Sequence, residues 1–218
     1  MDITSEHRSN FKALIVDELI RLCRARGFEW LPQLGQLRKT TYRGFSNILL
    51  SFSNYSDGVM VEGHCGVRID AVEDTVYRYT NGFREFQSNS HTLITSTGRL
   101  EGGLSRRRLV SSQRDAMDTA REIFATVDQR GEAFWQRYGE LHALDELFNF
   151  PDGRSSQLVS NLSYACLRGI VIAKLLARPD FESLVDEHRE RLQKLPTNPV
   201  VKDGYESLVA ALRGHWVH

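Results

Sequence analysis

Asp57-Gly58-Val59-Met60-Val61-Glu62-Gly63-His64-Cys65-Gly66-Val67-Arg68-Ile69-Asp70 is the stretch from which the fold can be read. Val59, Val61, Gly63, Cys65, Val67 and Ile69 fall on one side, and Met60, Glu62, His64, Gly66, Arg68 and Asp70 on the other. Side chains alternate across a strand with a period of two, so the pattern predicts a half-buried antiparallel strand with its polar side in water. Upstream, Ile48, Leu50 and Phe52 alternate with Leu49, Ser51 and Ser53. The connector Asn54-Tyr55-Ser56-Asp57-Gly58 carries turn residues, which pairs the two runs as a hairpin.

Working outward toward the N-terminus, Phe11, Leu14, Ile15, Leu19, Leu22 and Cys23 recur at helical steps. They predict an amphipathic helix capped by Ser9 or Asn10 and stopped at Gly27. Arg38 to Ser46 is rich in strand formers and reads as a first strand, broken or bulged at Gly44. Beyond the central hairpin, Ala71 to Tyr79 suits a short helix, although Val76, Tyr77 and Tyr79 would also serve in a strand. Asn81-Gly82 ends it, and Phe83 to Ser90 reads as a loop. Thr92 to Thr97 and Arg107 to Ser111 flank the Gly-rich connection Gly98 to Ser105 and suggest a second hairpin.

Ser112-Gln113-Arg114-Asp115 resembles a capping box with Asp in place of Glu, and Met117, Ala120, Ile123, Phe124 and Val127 follow at helical spacing. Gly131 is expected to interrupt this helix. Phe134, Trp135, Tyr138, Leu141, Leu144, Leu147 and Phe148 mark another, with Glu140, Asp145 and Glu146 on its solvated face. Past Pro151-Asp152-Gly153 three helices are expected: one starting at Ser155 or Ser156, one capped by Asp180 with Leu184, Val185, His188 and Leu192 inward, and one bearing Tyr205, Leu208, Val209 and Leu212. The expected architecture is α+β. A four- to five-stranded, mainly antiparallel sheet with an N-terminal helix and later helices fills residues 1–150, and residues 151–218 form a helical extension or subdomain.

Composition narrows the classes of function. Lys+Arg and Asp+Glu both number 28 among 218 residues, so no global field draws nucleic acid or an anionic membrane. The N-terminus lacks the apolar core of a signal peptide, and no apolar run is long enough to span a bilayer. Cys23, Cys65 and Cys166 are odd in number and far apart, matching neither a zinc spacing nor a disulfide framework. They read as buried thiols in a protein of the reducing cytoplasm.

Chemistry-bearing candidates are sparse. His64 shares the polar side of its strand with Glu62, Arg68 and Asp70, so a carboxylate two residues away stands ready to orient an imidazole base, and Arg68 to hold an anion. The plainer reading of these four residues is a polar interaction face with cross-strand ion pairs. Arg106-Arg107-Arg108, with Arg99 nearby, is the only basic run and has no interleaved aromatics, which argues against nucleic acid. Gly102-Gly103 lacks the Lys-Ser or Lys-Thr of a phosphate loop. His7, His91, His142, His188, His215 and His218 show no pair at ligand spacing, and no cofactor is expected.

Several segments together carry a resemblance: the helix ending in Arg26-Gly27-Phe28, the Tyr42-Arg43 and Ile48 to Phe52 strands, the long third strand, and Leu109-Val110-Ser111-Ser112 leading to Gly131 and Phe134-Trp135. From Phe11 to Phe148 the chain resembles a group of small bacterial α/β proteins described as domains of unknown function, some of which lie beside polymorphic toxin genes. That resemblance implies a cytoplasmic bacterial protein, and an immunity protein that neutralises a cognate toxin by occluding it. Three readings stay open at this point. One is a non-enzymatic protein-binding protein, another a small enzyme with a noncontiguous site around His64 and Glu62, and the third an adaptor using its C-terminal helices.

Overall fold

A computed structural model of the chain describes residues 4–80, 87–150 and 155–214. It is an α+β fold whose strands form one six-stranded sheet, with β1 to β5 as successive neighbours and β6 also paired to β4.

Helix α1 (Ser5–Cys23) starts earlier than its apolar pattern suggests, because the Thr4 hydroxyl accepts from the His7 amide and caps the first turn. A short 3-10 turn, Arg24–Arg26, then ends in Gly27, whose φ of +78° is the left-handed stop that glycine tolerates. Strands β1 (Glu29–Leu31), β2 (Gln36–Thr41), β3 (Gly44–Tyr55) and β4 (Gly58–Ile69) follow.

The strand expected over Arg38 to Ser46 is in fact two. Tyr42-Arg43 is a turn, Thr41 pairs with Gly44, and Thr40 pairs with Phe45. Gly44 adopts φ +150°, a conformation that side chains resist, so of the break or bulge expected at this glycine it is the break that forms, as a tight hairpin. The β3–β4 hairpin turns at Ser56-Asp57, as the alternation predicts. Strand β4, however, is buried along nearly its whole length on both faces, so it is not half-solvated.

Helix α2 (Asp70–Arg78) takes the helical option for Ala71 to Tyr79. Asn81-Gly82 and the start of the loop expected over Phe83 to Ser90 lie outside the described residues. The second hairpin does not form. β5 (Leu93–Ser96) and β6 (Arg108–Val110) each lie against β4, with β6 on Val59–Val61 at its start. Helix α3 (Thr97–Leu100), capped by Ser96, turns the chain between them. A strand as long as β4 can accept two short partners in succession, and the glycines between them serve that reversal.

Ser112 caps α4 (Gln113–Thr126) by accepting from the Asp115 amide at 3.1 Å. The return contact goes one residue further back than in the usual box, with Asp115 Oδ2 accepting from the Ser111 amide at 3.1 Å. Gly131 does not interrupt the helix. A π turn, Val127–Gly131, carries it into α5 (Glu132–Tyr138), and the break comes at Gly139-Glu140 before α6 (Leu141–Asn149). Gly131 is needed for space, because a methyl group there would lie 3.1 Å from the Trp135 ring.

Pro151-Asp152-Gly153 lies outside the described residues. Ser155–Leu158 forms only a 3-10 turn, and α7 (Leu162–Leu175) starts afresh under an Asn161 cap. It is followed by α8 (Phe181–Lys194) and α9 (Pro199–Arg213). Asp180 precedes α8 but makes no side-chain cap, its carboxylate being taken by Arg178.

The described chain divides into two compact units, residues 1–67 with 94–136 and residues 68–93 with 137–218, so position 150 lies within the second. In the first unit α1 packs on α4, and Ile15, Leu19, Cys23, Leu37, Ile48, Val61 and Cys65 are buried. Trp135 Nε1 donates to the Gly66 carbonyl at 3.0 Å, satisfying a buried indole. In the second, α7 packs against α2, α6, α8 and α9, and Leu167, Ile170, Ile172, Leu184, Leu192, Leu208 and Leu212 are buried. Burying each such Leu or Ile contributes about 1.5–3 kcal/mol, which makes α7 the helix on which this unit depends. Among the described residues no helix is long and apolar enough to cross a membrane.

Candidate functional site

The polar residues of β4 fall into two separate groups. Glu62 is 6% exposed and lies in the first unit, where its carboxylate accepts from the Ser105 hydroxyl and from Arg107 Nε at 3.2 Å. The segment after α3 therefore covers Glu62, and the covering explains why a residue of the expected polar face is buried. His64 is partly exposed. Its Nε2 lies 3.2 Å from the Ser51 hydroxyl on β3 and 3.9 Å from Glu62 Oε2.

That arrangement holds a serine, an imidazole and a carboxylate, but it differs from a hydrolytic triad. A triad carboxylate orients the base through Nδ1, leaving Nε2 for the nucleophile. Here serine and carboxylate approach the same nitrogen, and the carboxylate is already committed to Arg107 and Ser105. Burial holds the His64 pKa below the usual imidazole value; Glu62 opposes that shift, and Arg107 and Arg99 reinforce it. A neutral imidazole beside a serine hydroxyl is competent to accept its proton.

Arg68 is 3% exposed and lies in the second unit. Its Nε donates to Asp70 at 2.6 Å, one terminal nitrogen donates to the Gln87 carbonyl at 2.7 Å and to the Ser90 hydroxyl at 2.6 Å, and the other donates to Asp74. Every guanidinium nitrogen is thus engaged, so Arg68 ties residues 87–90 to the start of α2 and is held as a structural clamp. The sequence expectation that Glu62, His64, Arg68 and Asp70 share one face is met only in strand position.

The basic run is neutralised residue by residue. Arg106 pairs with Glu101 at 3.0 Å, Arg107 with Glu62 at 3.2 Å, and Arg108 with Glu122 at 2.6 Å. Arg106 and Arg108 also line a small cleft with Val61, Gly63, Thr119 and Ile123, and its interior of about 10 Å³ admits no more than a single water.

Sequence reasoning missed the most developed polar assembly, which lies in the second unit. Arg178 donates to Asp145 Oδ2 at 2.7 Å, Asn149 Nδ2 donates to Asp145 Oδ1 at 2.6 Å and to the Gly169 carbonyl at 3.0 Å, and His188 meets Asn149 Oδ1 at 2.7 Å. Asp145, expected on a solvated face, is buried with Asn149 and His188. Burial pushes the His188 pKa down to about 3, helped by Arg191. A signal was present, since Asp145 and Asn149 stand four residues apart among Leu144, Leu147 and Phe148 on the apolar side of α6. Nearby, Glu73 on α2 accepts two hydrogen bonds from Arg168 on α7, at 2.7 and 3.1 Å. Burial works to raise the Glu73 pKa, but Arg168, Ser90 and Arg68 bring it below the usual carboxylate value.

The three cysteines are buried and unpaired, and burial pushes Cys23 up to about 12 and Cys166 up to about 11, away from thiolate chemistry. Among the described residues no three His, Cys, Asp or Glu side chains come together as a metal site, and His215 and His218 lie outside those residues. Large apolar side chains stand exposed on the first unit at Tyr42, Tyr55, Leu104 and Leu109. Comparison with known proteins found no family model, no curated protein and no solved structure that matches the chain.

Proposed function

We propose that this chain is a cytoplasmic protein-binding protein that acts by covering a surface of its partner, as an immunity protein does when it neutralises a toxin. The observation that carries this reading is a division of labour among side chains in the first unit. Its ionisable candidates are taken up by one another, the buried Glu62 by Arg107 and Ser105, and at the surface Glu101 by Arg106 and Glu122 by Arg108. Large apolar side chains stand out beside these mutually paired charges, with Leu104 88% and Tyr42 81% exposed. Exposed aromatic and aliphatic anchors are what an occluding interface uses, and a few of them supply most of its affinity. Three buried, unpaired thiols suit a reducing compartment.

The test is retrieval of stoichiometric partners from the native lysate on the tagged full chain at moderate salt, followed by mass spectrometry. One tightly held protein that loses its toxicity when the chain is co-expressed supports the reading. Recovery of the chain alone under conditions where the candidate toxin is present counts against it.

A second reading, a small hydrolytic enzyme, is favoured by one contact, the 3.2 Å approach of Ser51 Oγ to His64 Nε2. It requires that His64→Ala and Ser51→Ala each abolish an activity while leaving the melting temperature unchanged.

A further inference from the structure

From Trp30 to Ser56 the chain contains no aspartate or glutamate, although 28 acidic residues are spread through the whole. Arg38, Lys39 and Arg43 all fall within that span, so the β2–β3 hairpin is a positively charged element in a chain of zero net charge. At its tip is the two-residue turn Tyr42-Arg43, flanked by the exposed Thr40 and Thr41.

Tyr42 is 81% exposed, and the guanidinium carbon of Arg43 lies 4.9 Å from the centroid of its ring. A cation held over an aromatic face fixes two side chains relative to each other before any partner arrives. The ordering cost of docking them is then smaller, and Tyr and Arg are the residue types in which interface hot spots are enriched. Lower on the hairpin, Arg38 stacks 3.7 Å over the buried Phe45 ring and stands opposite Glu29 of β1, so the charge at the tip comes from Arg43 and Lys39.

We propose that this tip is the anchor of the partner interface. Tyr42 seats on an apolar patch of a partner protein, and Arg43 and Lys39 meet carboxylates around it. The inference rests on the protein-binding reading and names the partner's chemistry, an acidic polypeptide surface. A polyanionic nucleic acid is disfavoured, because single-strand binding uses a row of aromatics along a cationic groove, whereas here one exposed ring is already covered on one face by Arg43. Charge complementarity at this site would set both partner choice and association rate.

The probes are a displayed library of random short peptides selected against the immobilised full chain, and a labelled single-stranded oligothymidylate followed by fluorescence anisotropy. The selected peptides are expected to be rich in Asp and Glu beside apolar residues. They are expected to lose about tenfold or more in affinity on Tyr42→Ala and on Arg43→Glu. Lys39→Glu is the second charge reversal should Arg43→Glu lower the melting temperature. Selected peptides without acidic enrichment, or equal affinity for the variants and the parent chain, would overturn the assignment, as would preferential capture of the oligothymidylate with loss in the same variants. If a native partner is retained by both tip variants but lost on Leu104→Asp or Leu109→Asp, the tip assignment falls and the protein-binding reading stands. No selected peptide and no native partner overturns both.

Discussion

Asn149 Oδ1 and His188 Nε2 lie 2.7 Å apart inside the second unit, and the rest of the Asn149 amide determines which of them donates. Its Nδ2 is committed to Asp145 and to the Gly169 carbonyl, so Oδ1 is the acceptor and His188 carries its proton on Nε2. His188 Nδ1 is then a buried acceptor, and among the described residues it has no hydrogen-bond partner. The imidazole is therefore held neutral by burial, in one tautomer, at the end of a chain that starts at Arg178.

Acid should unfold this unit through His188. Its folded pKa is about 3 against an ordinary 6.5. Above the unfolded value both states are neutral and the group has no effect. As pH falls below it the unfolded chain takes up a proton that the folded chain refuses, and stability drops by up to about 1.4 kcal/mol per pH unit. Glu73, whose folded pKa is lowered, acts in the same direction at more acidic pH. Thermal melts between pH 7 and pH 4 on the parent and on His188→Gln check this, and the variant should show the shallower slope; parallel curves would remove His188 from the account.

Gly169→Ala should destabilise although alanine is the better helix former. The added methyl would lie 2.5 Å from Asn149 Oδ1 and 2.7 Å from His188 Nε2, atoms already in contact with each other. A loss of about 1–3 kcal/mol is expected from overpacking, against about 1 kcal/mol gained in helix propensity. Urea denaturation decides it, and a more stable variant would contradict the close approach.

Arg168→Met should be worse than the double change Glu73→Met with Arg168→Met. Glu73 is nearly inaccessible and Arg168 is the guanidinium that faces it with two hydrogen bonds, so removing the arginine leaves a buried carboxylate without its main charge partner at a cost of about 3–5 kcal/mol. Replacing both residues removes the stranded charge. A double-mutant cycle measured by denaturation should therefore show strong coupling, and additive losses would mean the pair is energetically unlinked.

His64 offers a spectroscopic check on the first unit. Glu62 raises its pKa and Arg107 lowers it, within an overall depression by burial. Glu62→Gln should therefore move the titration of the His64 ring protons to still lower pH, and Arg107→Gln should move it upward. NMR titration of the two variants reads both signs, and a shift in the same direction for both would show that His64 does not sense this ion pair.

The local physics was legible in the residues. Alternation over Val59 to Ile69 determined the long strand, three- and four-residue spacing determined the helices over Phe11 to Cys23 and Leu184 to Leu192, and Gly27 marked its stop because only backbone geometry was at stake. The same reasoning reached Ser112 as a cap and a break at Gly44, without telling that the break is a hairpin, and misjudged Gly131. One glycine closes a turn and the other yields space to Trp135, and the choice depends on what lies across from it.

Only the tertiary structure decided which polar residues meet. Strand alternation puts Glu62 and Arg68 on one side of β4, yet Ser105 and Arg107 cover the first while Asp70, Asp74 and Ser90 enclose the second. Asp145, Asn149 and His188 come from α6 and α8, separated by 39 residues at the longest contact. Periodicity reports which way a side chain points along its own element. Whether that direction ends in water, in an ion pair or in a buried amide is set by segments distant in the chain, and no local pattern encodes their arrival.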